Sequence, residues 1–453
     1  MRVKYKDVAA DLARDIRRGT LKPGDRLPTH RELAHRHGLS LGTATKVFSE
    51  MEAMGLTIGE VGRGTFVRMN ADARAMEFSY ETPGKAVVDF SKNHLVLPEQ
   101  DDIFQAAIAK VLSDPDCDVL DYRNNPGSEY DRLTAWRWLN EDRETPIDSH
   151  KAITICSGGQ HALMLALMAT CRPGQVVAVE RLTYPMVRLA CEMLRLDVVE
   201  VDADRDGIVP ESFDRLCRKH VVSALFCIPN VQNPTSTTLS LERRSEIAKI
   251  ANAHDVTLLE DDAYGFLLEE PPTPLTELAP DRTLYIRTLS KSWAPGLRVC
   301  FLVSPGRHKD AVDRAQRASV WMNAPLMASV ASEIVSSGQY DLVVRAKRKE
   351  VFKRQAIVRR ILAGMQIETQ PQSMHVLLPL PSNARQDWVV EALAEANVLV
   401  SPASQFAAKG ERSGLQNGLR LCIGAPRNRA EMENALRTLR AVVEAPQNKE
   451  AWR

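Results

Sequence analysis

"RTLSKSWAPGLR", residues 287–298, overlaps an apolar run, "TLYIRT" from 283, and sets one lysine, Lys291, between small hydroxyl residues ahead of a Pro-Gly turn. A strand that ends in Thr288, Ser290, Lys291 and Arg298 gathers polar chemistry at its carboxyl end, where ligands collect in open α/β sheets. Apolar runs of the same kind recur, "VVAVE" from 176, "SALFCIP" from 223, "VTLLED" from 256 and "RVCFLV" from 298, with amphipathic stretches between them. That alternation predicts an α/β unit with a mostly parallel sheet.

The strand ends carry further unusual residues. "ITICSGGQHALMLAL" reads as strand, then Ser157-Gly158-Gly159-Gln160, then helix, an amino-terminal anion site able to hold a phosphate on backbone N–H groups. "FCIPNVQNPT" puts Asn233 in a Pro-flanked loop, and "TLLEDDAYGF" closes a buried strand with Asp261 and Asp262, Tyr264 following. A phosphate cradle, a carboxylate, an Asn/Tyr donor pair and a lysine together suit pyridoxal 5′-phosphate. The amine would form a Schiff base, and the carboxylate would keep the pyridine nitrogen protonated so that the ring acts as an electron sink. Each element alone has a plain structural reading, as a surface lysine, a solvated strand end or a turn; their joint order argues for the site. A Walker A loop and a Rossmann glycine fingerprint are both missing from the sequence, which disfavours a nucleotide.

The first 68 residues differ in character. They hold thirteen Lys and Arg against eight Asp and Glu, a net of +5, which leaves −4 for the rest of a chain whose total is +1. A basic head on a mildly acidic body suits a polyanionic partner. After an amphipathic opening (Val8, Leu12, Ile16), Gly19–Pro28 carries loop punctuation, and "THRE" has the form of a capping box with Thr29 and Glu32. Gly38 stops that helix. Ser40 can cap the next, in which Val47, Met51 and Met54 share one face. "LTIGEVGRGTFV" then reads as a hairpin, so that an all-α-rich winged helix-turn-helix head precedes the α/β body. A small interaction module would need neither the basic tip nor the charge excess.

Two resemblances follow from these residues. "LPTHRELAHRHGLSLGTATKVFSEMEAMGL...GRGTFV" resembles the DNA-binding domain of GntR-type regulators. It implies that Arg31, Ser40, Gly42, Thr43 and Lys46 face a double-stranded DNA operator, with Arg63 in the wing and Arg26 on a phosphate. Many relatives carry arginine where this chain has Leu41. "YRNNPG", "SGGQHAL", "ERLTYP", "PNVQNPT", "EDDAYGF", "SKSWAPGLR" and "NGLRLCIG" resemble fold-type I, class I aminotransferases. That resemblance implies Lys291 as the Schiff-base lysine, Asp261 at the pyridine nitrogen, and Asn233 with Tyr264 at the phenolic oxygen. It further implies Tyr184 against the ring, and Gly159, Gln160, Ser290 and Arg298, with Thr288, on the phosphate. Tyr122 would reach a neighbouring subunit's phosphate in a homodimer, and Arg420 would grip a substrate carboxylate. His161 stands where the usual phosphate loop has a polar residue or a second glutamine.

Head plus body is similar to MocR-type transcription regulators. The expected organisation is a head over 1–68, a linker over 69–86 and a body over 87–453, whose large domain spans about 110–330 and small domain about 87–109 plus 335–453. The resemblance implies a promoter-binding protein whose body senses an amino compound or the cofactor itself. The competing expectation is a working aminotransferase with an appended head; a mere dimerisation scaffold would have no use for Lys291, Asp261, Asn233, Tyr264 and Arg420 together. Eight scattered cysteines without a CxxC pair predict free thiols and no metal site, and a polar amino terminus with no long apolar run predicts a cytoplasmic protein without a membrane partner.

Overall fold

The computed structural model describes residues 5–17, 20–21, 25–53, 56–60, 64–67, 87–115, 117, 119–141, 143–407 and 414–445. Arg63, Met54 and the linker reading over 69–86 lie outside the described residues. The chain divides into two compact units, Met1–Thr82 and Pro83–Arg453.

The first unit has helices α1 (Tyr5–Arg17), α2 (His30–His37) and α3 (Leu41–Ala53) and the antiparallel strands β1 (Thr57–Glu60) and β2 (Gly64–Val67). The capping box forms: Thr29 N–H donates to Glu32 Oε2 at 2.7 Å, and Glu32 N–H donates to Thr29 Oγ1 at 3.3 Å. Gly38 ends α2 in the left-handed conformation, φ 61°, which glycine adopts without steric cost. Val8, Leu33, Ala44, Val47, Phe48 and Met51 close a small core. One part of the loop reading is revised: Arg26 bridges Phe66, and Leu27 N–H bonds to the Thr65 carbonyl at 2.8 Å, so this segment covers the free edge of β2. Thr29→Ala should destabilise α2 by about 1 kcal/mol, seen as faster hydrogen exchange of its amides; unchanged exchange would show the cap to be dispensable.

The second unit is built on a seven-stranded sheet. In chain order its strands are β3 (Ile153–Cys156), β4 (Val176–Glu180), β5 (Asp197–Val201), β6 (Val222–Cys227), β7 (Thr257–Asp261), β8 (Thr283–Thr288) and β9 (Cys300–Val303). Their spatial order is β3-β9-β8-β7-β6-β4-β5, with β9 antiparallel to both neighbours and the other pairs parallel. β3 and β9 are buried along their whole length, as strands covered on both faces must be. Register explains why distant motifs meet. Thr288 lies opposite Cys300, and Cys300 opposite Cys156, so the turns after residues 156 and 288 and before residue 300 converge at one end of these three strands.

A second core surrounds the antiparallel strands β10 (His375–Pro379), β11 (Ser401–Pro402) and β12 (Gly418–Cys422) and includes Val358, Leu378, Leu419 and Leu436. Phe90 is buried in it, and the two residues Val88–Asp89 pair in parallel with Val398–Leu399, whereas Leu95, Ala107 and Val111 join the main core. This is the fold-type I aminotransferase architecture, a mostly parallel sheet with a smaller α+β part at the carboxyl-terminal end. No described helix is long and apolar enough to cross a membrane. The eight cysteines are free, and no cluster of metal-ligating side chains occurs among the described residues.

Candidate functional site

The two adjacent aspartates at the end of β7 have opposite environments. Asp262 accepts hydrogen bonds from Asn230 Nδ2 (2.8 Å), Gly265 N–H (2.9 Å), the Tyr285 hydroxyl (2.6 Å) and Arg287 Nη1 (2.6 Å). Burial opposes its charge, yet the Arg287 guanidinium and these donors together hold its pKa below the ordinary value. A Cβ at Gly265 would come within 2.2 Å of the Asp262 carboxylate, so the glycine of "EDDAYG" is needed for that turn. Asp261 Oδ1, by contrast, has no hydrogen-bond partner among the described residues. Burial and the charge of Asp262 push Asp261 up to about 7, with Lys291 pulling the other way. Asp262 is therefore a structural anion, and Asp261 is left available.

Lys291 lies in the single turn Leu289–Ser292 that follows β8. Its Nζ donates to the Asn93 carbonyl at 2.8 Å. Desolvation lowers its pKa to about 8, assisted by the positive charges of Arg420 and Arg298 and opposed by Asp261. A neutral amine, the nucleophilic form, is thus accessible close to neutral pH. Asn93 also donates through Nδ2 to the Tyr264 hydroxyl at 2.8 Å and lies 3.4 Å from His375 Nδ1. His375 Nε2 meets the Gln232 carbonyl at 2.9 Å, and burial depresses its pKa to about 3, so the ring is neutral. Tyr264 packs edge-on to His375, centroids 5.4 Å apart, and burial raises its pKa well above that of a free phenol. Tyr184, half-buried ahead of helix Pro185–Met193, is pushed to about 12 by burial and by the Asp261 charge. Asn233 is buried, and its amide oxygen has no partner among the described residues.

The cradle lies at the start of helix Gly159–Thr170. Gly158 has φ 90°, and a Cβ there would sit 2.4 Å from Arg298 Nη2, so the guanidinium lies directly against the turn and only glycine fits. Arg298 Nη2 donates to the Ser157 carbonyl at 3.1 Å. Thr288 Oγ1 accepts from Ser290 N–H at 3.2 Å and donates to Ser290 Oγ at 3.1 Å, and the Thr288 side chain lies beside Gly159. Gln160 Oε1 has no partner among the described residues. His161 accepts the Ser157 N–H at 3.1 Å and contacts Ser319 Oγ at 3.0 Å, so its departure from the usual motif anchors the turn to a neighbouring helix.

Arg420, on β12, is buried with Nη2 on the Ser91 carbonyl and Ser401 Oγ, both at 2.9 Å, and Nη1 on Cys422 Sγ at 2.7 Å. Its guanidinium lies over the Phe406 ring, 5.0 Å from the centroid, and its Nε is unpartnered among the described residues. Tyr122 is not drawn into this site; it is 80% exposed, edge-on to Trp321 at 6.5 Å. Asn93 and His375 escaped the sequence reading, since "KNH" and "MHV" carry no motif, whereas Gly158 belongs to the turn read as an anion site. In the first unit Arg26, Arg31, Ser40, Gly42 and Lys46 are exposed and Thr43 is half-buried.

Comparison with known proteins agrees with both units. Residues 85–439 match the family described as aminotransferase class I and II, and residues 4–67 match the bacterial regulatory proteins of the gntR family. The chain belongs to the aminotransferase class I and II family. As a member that also carries a gntR-type head, it is 28% identical over 446 residues to the uncharacterized HTH-type transcriptional regulator YdeF of Bacillus subtilis, covering 97% of this chain and 94% of that one. It is 23% identical over 420 residues to the HTH-type pyridoxine biosynthesis transcriptional regulator PdxR of Corynebacterium glutamicum, covering 90% and 89% of the two chains. An archaeal alanine:glyoxylate aminotransferase superposes with a TM-score of 0.75 at 22% identity, over 83% of this chain and 94% of the other, a likeness of fold. A gntR-type head joined to an aminotransferase-like body is the MocR-type organisation, and the protein is a transcription regulator of that type.

Proposed function

We propose that this regulator holds pyridoxal 5′-phosphate on Lys291 and alters its binding to a promoter when an amino compound, or the cofactor itself, occupies the body. The observation that carries the reading is a set of buried groups without partners, of which Asp261 and Arg420 act electrostatically on Lys291. Asp261 Oδ1, the Asn233 amide oxygen, Gln160 Oε1 and Arg420 Nε lack partners among the described residues, although buried polar atoms are ordinarily paired. Asp261 Oδ1 suits a basic ring nitrogen and Arg420 Nε an anionic group, and the amide N–H groups of Gln160 and Asn233 would donate to phosphate and phenolic oxygens, so the residues fit the cofactor. When bound, it supplies an aldehyde that condenses with primary amines and a ring that withdraws electrons.

The helix start at Gly159 and Gln160, with Thr288, Ser290 and Arg298, would hold the phosphate. Asp261, already raised to about 7, would share a proton with the ring nitrogen. The Asn233 amide N–H and the Tyr264 hydroxyl would donate to the phenolic oxygen, and Tyr184 would face the ring. Arg420 would receive a ligand carboxylate through its free Nε edge. Tyr122, exposed on its own subunit, would complete a neighbour's phosphate site, which makes the working unit a homodimer. Closure of a small domain made of about 87–109 plus 335–453 would then alter the freedom of the DNA-binding heads, provided the ligand favours one state over the other.

Turnover remains a second reading, because a lysine at about 8 beside an available carboxylate also suits repeated proton transfer. One experiment separates them. The full-length protein is titrated with a panel of amino compounds, following visible absorbance, promoter-fragment binding and keto-acid formation together. A stable spectral change accompanied by altered DNA affinity and no product is the expected result. Multiple turnovers with no change in DNA affinity would overturn it.

A further inference from the structure

We infer that Leu41 is a specificity-determining residue that reads the 5-methyl group of thymine in the major groove; the inference rests on the DNA-binding reading of the head. Leu41 is the first residue of α3, the second helix of the helix-turn-helix, and the amino-terminal residues of that helix meet base edges in proteins of this architecture. Its side chain is 51% exposed and is not among the residues packed on the head's core. An exposed leucine needs no explanation on an ordinary surface. At this position it is what the helix presents to the groove.

The neighbouring polar groups are already engaged. Ser40 Oγ and Thr43 Oγ1 lie 2.8 Å apart in one hydrogen bond, and Thr43 N–H donates to Ser40 Oγ at 3.2 Å. Thr45, one turn beyond Leu41 and also exposed, donates its hydroxyl to the Leu41 carbonyl at 3.1 Å. Gly42 adds no side chain, and nothing lies within 4 Å of where its Cβ would be. The tip of α3 therefore offers a half-exposed isobutyl group beside hydroxyls that are hydrogen-bonded within the helix. Among base-pair edges in the major groove, the apolar feature such a group can recognise is the thymine methyl. Lys46, exposed a turn and a half further on, supplies charge that any sequence would attract.

The test uses the full-length chain. Preferred sites are selected from a random duplex library, and deoxyuridine then replaces thymine one position at a time, removing only the methyl. Binding should weaken about fourfold at one position of the site. Leu41→Ala should abolish that sensitivity while keeping a salt-dependent affinity, and Leu41→Arg should shift the preference there toward guanine. Lys46→Ala should weaken all duplexes alike. Uracil tolerated at every position, a selected site without thymine, or undiminished methyl sensitivity in Leu41→Ala would overturn the assignment while leaving DNA binding intact. Failure to enrich any sequence would overturn the DNA-binding reading and this inference together.

Discussion

Lys291→Ala protein is expected to lose its covalent cofactor completely: no visible band that borohydride can fix, and no modified peptide containing residue 291 in the reduced wild-type digest's counterpart. The expectation is stronger than a count of lysines would allow, because a second buried lysine competes for the role. Lys347 is fully buried, and desolvation lowers it to about 7, below the value of about 8 for Lys291. Titration alone would select the wrong residue. Geometry decides: Lys347 Nζ donates to the Lys291 carbonyl at 3.3 Å and to the Trp293 carbonyl, so its amine is spent in bracing the turn that carries Lys291. Lys291 remains partly accessible and shares its surroundings with Asp261, Arg298 and Arg420. Lys347→Met should loosen that turn and lower stability, yet the modified peptide should still contain Lys291. A reduced adduct on Lys347 in the wild-type protein would overturn the assignment. Capture of free cofactor by the stripped protein should also accelerate as pH rises through about 8, as the neutral amine of Lys291 accumulates.

What the sequence conveyed, and what it did not, follows from the range of the interactions involved. Thr29 with Glu32, Gly38 and Ser40 act over three or four residues, so the caps and turn of the head were legible. Asp261 and Lys291 were legible because apolar runs mark the strands and the polar residues that close or follow each run are conspicuous, and Arg298 because it stands between the Pro-Gly turn and the next apolar run. Asn93 was not. Its three partners, Lys291, Tyr264 and His375, stand 171 to 282 residues away, and no local pattern announces a contact that only the closed fold creates. The pairing of Asp25–Leu27 with β2 was hidden for a related reason: loop punctuation describes how a chain turns, not which strand edge it covers. The constraint on Gly158, as opposed to its neighbour Gly159, depends on a guanidinium 140 residues further along the chain.

Asp261 and Asp262 are one bond apart in sequence, and their replacement by asparagine should have opposite consequences. Asp262→Asn removes the charge that balances the largely buried Arg287 and turns one of the two accepting oxygens into an amide NH2 group, so that either the Tyr285 and Arg287 donors or the Asn230 and Gly265 donors face another donor. Breaking a buried ion pair from one side costs about 3–5 kcal/mol, to be read as a lowered urea midpoint of the stripped protein. Asp261→Asn alters a carboxylate whose Oδ1 the fold leaves without a partner among the described residues. Its pKa is raised in the native state, from 3.8 to about 7, so the native chain binds more protons than the unfolded chain within that window. Asp261 therefore subtracts stability progressively as pH rises through the window, and the stripped Asp261→Asn protein should gain on the wild type over the same range. Cofactor binding should move the other way: losing a charge-assisted partner for the ring nitrogen should weaken retention by about 1.5–3 kcal/mol, measured by equilibrium dialysis. If Asp262→Asn were the variant that kept its stability and shed the cofactor, the two roles would be exchanged. The four donors on Asp262 and the bare oxygen of Asp261 argue against that exchange, since a carboxylate already saturated with hydrogen bonds has little left to offer a ligand.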